Sequence, residues 1–206
     1  MILIVLLIIY SFFCFLLLKI TLQYIPINTD VAFLRIKQDY IQMQHYRIAF
    51  FVHVFTSLFV LLAGYTQFSQ FIYTQKPKFH RSMGWLYVTV TVLLAGPSGL
   101  IIGVYANGGL SSQIAFCLLA ILWIYFTIKA VVSIRKRQLI QHKEWMIRSF
   151  SLALSAITLR AWKYLIVAIF HTRPMDTYMI VAWLGWVVNL VIIEIIIYRK
   201  YIKSRQ

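Results

Sequence analysis

Residues 113–134 read QIAFCLLAILWIYFTIKAVVSI, twenty-two residues with a single charge, Lys129, and Arg135-Lys136-Arg137 follow directly. Wound as an α-helix at about 1.5 Å per residue, the stretch is about 33 Å long, enough for the ~30 Å hydrocarbon core of a bilayer. Five further runs of this kind lie at 2–23, 48–68, 83–105, 145–170 and 178–198. Lipid offers no water to a bare backbone, so such runs cross it as helices. The expected fold class is therefore all-α: a polytopic transmembrane helix bundle of about six spans, forming one membrane domain over 1–206.

The composition agrees. The chain is 62% hydrophobic and 12% charged, with a mean hydropathy of +0.81, whereas soluble domains carry about a quarter charged residues. The net charge is +15, from 20 Lys+Arg against 5 Asp+Glu. In a soluble domain that balance would point to nucleic acid. Here the cations sit in short connections between apolar runs, as membrane insertion requires, so no nucleic-acid partner is expected. Cys14 and Cys117 each stand alone in an apolar run, which excludes a thiol redox pair or covalent haem attachment. The first run lacks the basic start and small-residue cleavage site of a leader peptide and is expected to be a retained span.

Cations in the connections set the expected orientation. Lys76, Lys78 and Arg81 precede the third span; Arg135, Lys136, Arg137, Lys143 and Arg148 surround the fourth–fifth connection; Arg199, Lys200, Lys203 and Arg205 form the tail. These twelve fall on one side of a six-span chain, and Arg35, Lys37, Arg47 and Arg173 fall on the other. The richer side is expected to be cytoplasmic, with both termini there. Between the first two spans, Val31–Gln44 mixes Phe33, Leu34, Ile36 and Tyr40 with Arg35, Lys37 and Asp39, as an amphipathic helix on the membrane surface would.

Several polar features lie inside the apolar runs. Gly96-Pro97-Ser98-Gly99 interrupts the third span. Proline removes a backbone donor, so a kink is expected, and the flanking glycines also allow an unwound break. Transporters bind ions at such breaks, but a kink tolerated in a packed bundle is the plainer reading. Arg160 stands twelve residues beyond Arg148, about 18 Å in a straight helix and so near mid-membrane. A charge there must face the bundle interior and find a partner. Asn189 is at similar depth, and Glu194 is the one acid within a span. Arg160 suits either an anionic ligand or a structural role on backbone carbonyls and Asn189.

The histidines raise a second possibility. His53 lies within the second span. His80 and His142 begin the third and fifth spans, which run in the same direction, so both imidazoles start at one depth. Paired imidazoles from neighbouring helices are what a b-type haem needs, and neutral imidazole also suits zinc, copper or non-haem iron. Arg81, Arg148 and Arg160 are then candidates to pair with propionates or other anions. The same basic entrance also suits anionic lipid head groups at the cytoplasmic face with no cofactor at all. An amphipathic imidazole at a membrane interface needs neither explanation.

At these residues the chain resembles the bacterial multi-pass membrane proteins grouped as domain of unknown function 2306. The likeness rests on Asp30-Val31-Ala32-Phe33-Leu34, His53, Gly64, Gln67-Phe68, His80-Arg81, Gly84 and Tyr87. It continues through Gly96-Pro97-Ser98-Gly99-Leu100, Gly108-Gly109, the run His142-Lys143-Glu144-Trp145-Met146-Ile147-Arg148-Ser149, and Leu159-Arg160. It covers roughly residues 30–160 and implies a bacterial inner-membrane protein, without implying a reaction. The histidine placement is also similar in architecture to transmembrane b-type cytochromes. The fourth span has no histidine, however, so one haem near the cytoplasmic face fits better than two and leaves His53 outside it.

The absences narrow the field. No glycine-rich phosphate loop, His-Glu-x-x-His or nucleophile elbow occurs, and five carboxylates leave little for acid–base chemistry. Only Glu144 stands near the histidines as a base for a metal-dependent hydrolase. Three readings stay open: a membrane redox protein with haem or metal, a transporter or anionic-lipid binder, and an assembly subunit without a ligand.

Overall fold

The structure, a computed structural model, describes residues 2–203; Arg205 of the basic tail lies outside the described residues. The elements are α1 (Ile2–Leu22), a 3-10 turn (Ala32–Ile36), α2 (Gln38–Ile41), α3 (Gln44–Gln67), α4 (Gln70–Gln75) and α5 (Pro77–Thr89). A π-helical turn (Val90–Ala95) leads into α6 (Gly96–Val104), followed by α7 (Gly109–Arg135), α8 (Leu139–Ala153), α9 (Ser155–Phe170) and α10 (Pro174–Lys203). Every regular element among the described residues is helical. Five helical runs are long and apolar enough to cross a membrane: α1, α3, α5 through α6, α7 and α10. The pair α8–α9, bent by 43°, brings the number among the described residues to six if the two helices form one span. Large apolar side chains such as Leu93, Leu110, Ile140 and Tyr164 point outward, which only a lipid surround makes favourable. The protein is an all-α, polytopic membrane helix bundle.

α7 is the central post, packed on α6, α8 and α10, while α3 packs on α5, the π turn and α6. Gly108 and Gly109 start α7 at φ +87° and +72°. Two successive left-handed residues are cheap only for glycine, which is why the Asn107-Gly108-Gly109 turn reverses the chain so tightly. α1 is peripheral. It packs on α3, and only 6% of its hydrophobic window is buried.

Two sequence expectations come out differently in detail, and the structure shows how the Gly-Pro stretch is carried. The helix runs through Gly96-Pro97 without unwinding, because the missing proline donor is absorbed by the π turn. There the Gly96 N–H bonds Thr91 O, and the Ser98 hydroxyl donates to Leu94 O at 2.5 Å. A widened turn of this kind is a common way to carry proline inside a span. The run 145–170 is not one straight helix. α8 ends at Ala153 and α9 begins at Ser155, with the break at Leu154. Asn189 on α10 holds the break, donating to Ser151 O at 3.1 Å, Thr158 Oγ1 at 3.0 Å and Gly185 O at 3.1 Å. Straight-helix depths counted from Arg148 to Arg160 therefore do not apply.

The segment after α1 is not an amphipathic surface helix either. Ala32 takes φ +48° and Lys37 takes φ −127°, which split it into a 3-10 turn and the four-residue α2. Leu34 and Ile41 are buried against Tyr24, Tyr46, Phe50 and Phe51, so the segment packs as a cap on one end of the bundle. Lys37 goes in with them, 2% exposed, and its ammonium donates to Tyr105 O and sits 4.7 Å from the Tyr40 ring centroid. Burial pushes the Lys37 pKa below the ordinary lysine range. The folded state thus binds this proton less tightly than the unfolded chain does. The resulting penalty is full below the folded-state pKa and is relieved as pH rises towards the unfolded value of about 10.4. Between about pH 7 and about pH 9.5 the detergent-solubilised wild type should gain thermal stability relative to Lys37→Met. A constant difference between the two melting temperatures would refute the assignment.

Candidate functional site

A cavity of about 680 Å³ lies inside the bundle, within the size range that holds small-molecule ligands. α3 supplies Phe50, His53, Val54, Ser57 and Leu58, a single helix face at three- and four-residue spacing. α9 supplies Ala156, Leu159, Arg160 and Lys163 by the same rule. Lys37 of the capping segment also lines it, with Tyr24, Tyr46 and Tyr178. The lining is mostly apolar. Among the described residues its charged side chains, Lys37, Arg160 and Lys163, are all basic, and no Asp or Glu joins them.

His53 is held in one orientation. Its Nδ1 is 2.8 Å from Ala95 O in the π turn. A carbonyl oxygen only accepts, so Nδ1 carries the proton and Nε2 keeps its lone pair. That nitrogen has no hydrogen-bond partner among the described residues. Gly99 makes the fit possible: a Cβ there would stand 3.0 Å from His53 Cε1 and 3.1 Å from Nδ1. The Gly-Pro-Ser-Gly stretch thus seats an imidazole as well as following the π turn.

Arg160 donates from Nη1 to Ala156 O, one turn back on its own helix. Its other donors have no partner among the described residues. Asn189, its expected partner, is committed to the α8–α9 break. Glu194 is committed too. It takes both arms of the Arg148 guanidinium, at 2.5 and 2.9 Å, beside the Trp145 ring. The fork of Arg148 is therefore filled from within the chain. Arg81 is exposed and reaches Pro77 O at 3.4 Å.

His80 and His142 lie away from the cavity, with His142 within the electrostatic reach of His80. His142 Nδ1 is 2.9 Å from Ala130 O, which leaves Nε2 as its free nitrogen. His80 Nδ1 is buried without a partner, beside the ring of Tyr73. Neither residue lines the cavity, whereas His53 does. Among the described residues no three His, Cys, Asp or Glu side chains are grouped to hold a metal ion. Trp123, on the cavity wall, joins a buried polar cluster: Trp123 Nε1 to Tyr87 OH at 3.3 Å, Tyr87 OH to Ser149 Oγ at 2.7 Å, and Ser149 Oγ to Thr127 Oγ1 at 2.7 Å.

The family described as predicted membrane protein, domain of unknown function 2306, matches residues 50–197. The chain belongs to this family. The match takes in α10, which the likeness read from the sequence did not reach, and starts after the capping segment. His53, His80, His142, Arg160 and the Arg148–Glu194 pair all lie within it, while Lys37 and α1 lie outside. No curated protein and no solved structure matches the chain. It is a bacterial multi-pass membrane protein.

Sequence reasoning singled out His53 and Arg160 but not their shared cavity, and it missed Lys37 and Lys163 as lining residues. Lys163 carried a usable signal, being three residues from Arg160 and so on the same helix face. Lys37 carried none, because its burial depends on how residues 24–43 fold back.

Proposed function

We propose that the protein binds the anionic group of a ligand in the cavity between α3 and α9, with no resident cofactor at that site. One observation carries this reading: among the described residues the charged side chains of a mostly apolar cavity are all basic, and Arg160 has no acid opposite it. A guanidinium with open donors inside a bundle is a ready-made clamp for carboxylate or phosphate. His53 Nε2 complements it by accepting from a hydroxyl or protonated oxygen on the same ligand. The cation balance of the connections further supports cytoplasmic termini in a single inner-membrane domain, with anionic lipid head groups around Lys76, Lys78 and Arg135–Arg137. The test is titration of the purified protein and of Arg160→Gln with hexadecyl phosphate. Saturable binding by the wild type that weakens at least tenfold in the variant supports the proposal, and equal affinities refute it.

The nearness of His80 to His142 supports a second reading, in which the two imidazoles hold a b-type haem or a metal ion at the basic end of the bundle. The Ala130 carbonyl would fix the His142 tautomer, as a backbone acceptor commonly does for a ligating histidine. This reading expects a b-type band in the reduced-minus-oxidised spectrum of protein expressed with ample haem, lost in both His80→Ala and His142→Ala. Colourless protein that is also metal-free by elemental analysis would end it. A band lost instead in His53→Ala would move the cofactor into the cavity.

A further inference from the structure

We infer that the ligand of the α3–α9 cavity is a single-chain amphiphile with a carboxylate or phosphate head, taken up from the bilayer through the seam between α1 and α9. This rests on the anion-binding reading above and adds the ligand's tail and its route.

The first argument is volume. An inorganic anion fills a few water-sized spaces of about 30 Å³ each. A cavity of about 680 Å³ has room for roughly twenty such spaces, the size of a polar head on a long alkyl chain. The second argument is the nature of the walls. The basic groups Arg160, Lys163 and Lys37 share the cavity with Leu17 and Ile20 of α1 and Leu58 of α3. A small hydrated anion would leave that apolar wall wet, whereas a chain covers it, at ~25 cal/mol for each Å² taken from water.

The third argument is access. On the side of the capping segment the cavity is covered. Leu34 and Ile41 are buried there, and Lys37 is tied to Tyr105 O. The seam between α1 and α9 is different. Both helices line the cavity, yet they do not form a packed pair: α1 packs on α3, and α9 packs on α10. Parting them breaks no interhelical hydrogen bond shown by the structure. A helix held on one side only is among the elements cheapest to displace, and what lies outside the seam is lipid.

The experiment is photolabelling of the full chain in lipid nanodiscs with a palmitate analogue carrying a free carboxylate and a mid-chain diazirine, with adducts mapped by mass spectrometry. Adducts are expected on α1 between Leu17 and Thr21 and on α3 between Val54 and Leu61. They should be displaced by palmitate or hexadecyl phosphate and reduced at least tenfold in Arg160→Gln. The stronger of the two competitors identifies the preferred head. Lys163→Gln, a milder change, should reduce labelling by a smaller factor and serves if Arg160→Gln does not fold. Thr21→Trp, which narrows the seam, should slow labelling several-fold.

If butyrate or inorganic phosphate displaces the probe as well as palmitate does, and Arg160 still matters, the anion site stands and the amphiphile is overturned. Adducts confined to the lipid-facing Phe12 and Phe15 and unaffected by Arg160→Gln would overturn it too. Binding of no anion, long or short, in an Arg160-dependent way would remove the underlying reading itself. An unchanged rate in Thr21→Trp would overturn the portal alone.

Discussion

Arg160→Leu is expected to weaken binding of a carboxylate or phosphate probe by roughly one to two orders of magnitude and to leave the bundle at least as stable as the wild type. The binding loss follows from the guanidinium, whose one hydrogen bond among the described residues goes from Nη1 to Ala156 O. Hydrogen bonds to charged groups contribute about 1.5–3 kcal/mol, and each ~1.4 kcal/mol is tenfold in affinity. The stability outcome follows from the same vacancy. A charge lining a mostly apolar cavity, with no carboxylate beside it, is held at a cost, and an apolar replacement of similar bulk removes that cost. The pair of measurements is titration of the probe and a thermal melt in detergent. A variant that binds normally but melts well below the wild type would show that Arg160 supports the fold and does not serve a ligand.

Asn189→Leu should be the most damaging single change to the bundle, costing about 1–3 kcal/mol. Its amide nitrogen donates to Ser151 O, Thr158 Oγ1 and Gly185 O, and so joins α8, α9 and α10 at one point. Interhelical bonds in membranes average ~0.6 kcal/mol, and the carbonyl stranded at the break adds its own desolvation cost. Because the Leu154 break sets the direction of α9, the same substitution should displace Arg160 and weaken probe binding as well. Unfolding in mixed detergent micelles, with probe titration on the surviving folded fraction, reads both effects. Wild-type stability would mean that the break is held by packing alone. Thr158→Val should cost less, and the double variant should cost less than the two single changes together, because Thr158 and Asn189 share a bond.

Much of this was legible along the chain because the bilayer is a demanding solvent. A run such as 113–134 has one low-energy solution in lipid, a helix, and neighbouring residues do not alter that. The membrane class, the all-helical bundle and the number of spans are consequences of local composition. His53 and Arg160 were conspicuous for a related reason, since polar groups inside apolar runs are expensive and stand out. The family resemblance was carried by the same residues, Gly96-Pro97-Ser98-Gly99 among them.

Tertiary structure decided which polar group meets which. Asn189 and Glu194 both stood in the last span as partners for Arg160. Their assignments depend on helix rotation and on the bend at Leu154, and in the fold Asn189 serves that bend while Glu194 takes Arg148. His80 and His142 were matched by depth in the sequence, and only packing left both outside the cavity and put His53 in it. Residues 24–43 show the same division. Their mixed pattern suits a surface helix as well as a cap, and the burial of Leu34, Lys37 and Ile41 arises from contacts with α3 and the end of α6. By itself, then, the sequence determined that this protein is a multi-pass helical bundle in lipid, because hydrocarbon acts on each segment separately. Only the tertiary structure decided that its unmatched cations share a cavity, because pairing is a property of helices set side by side.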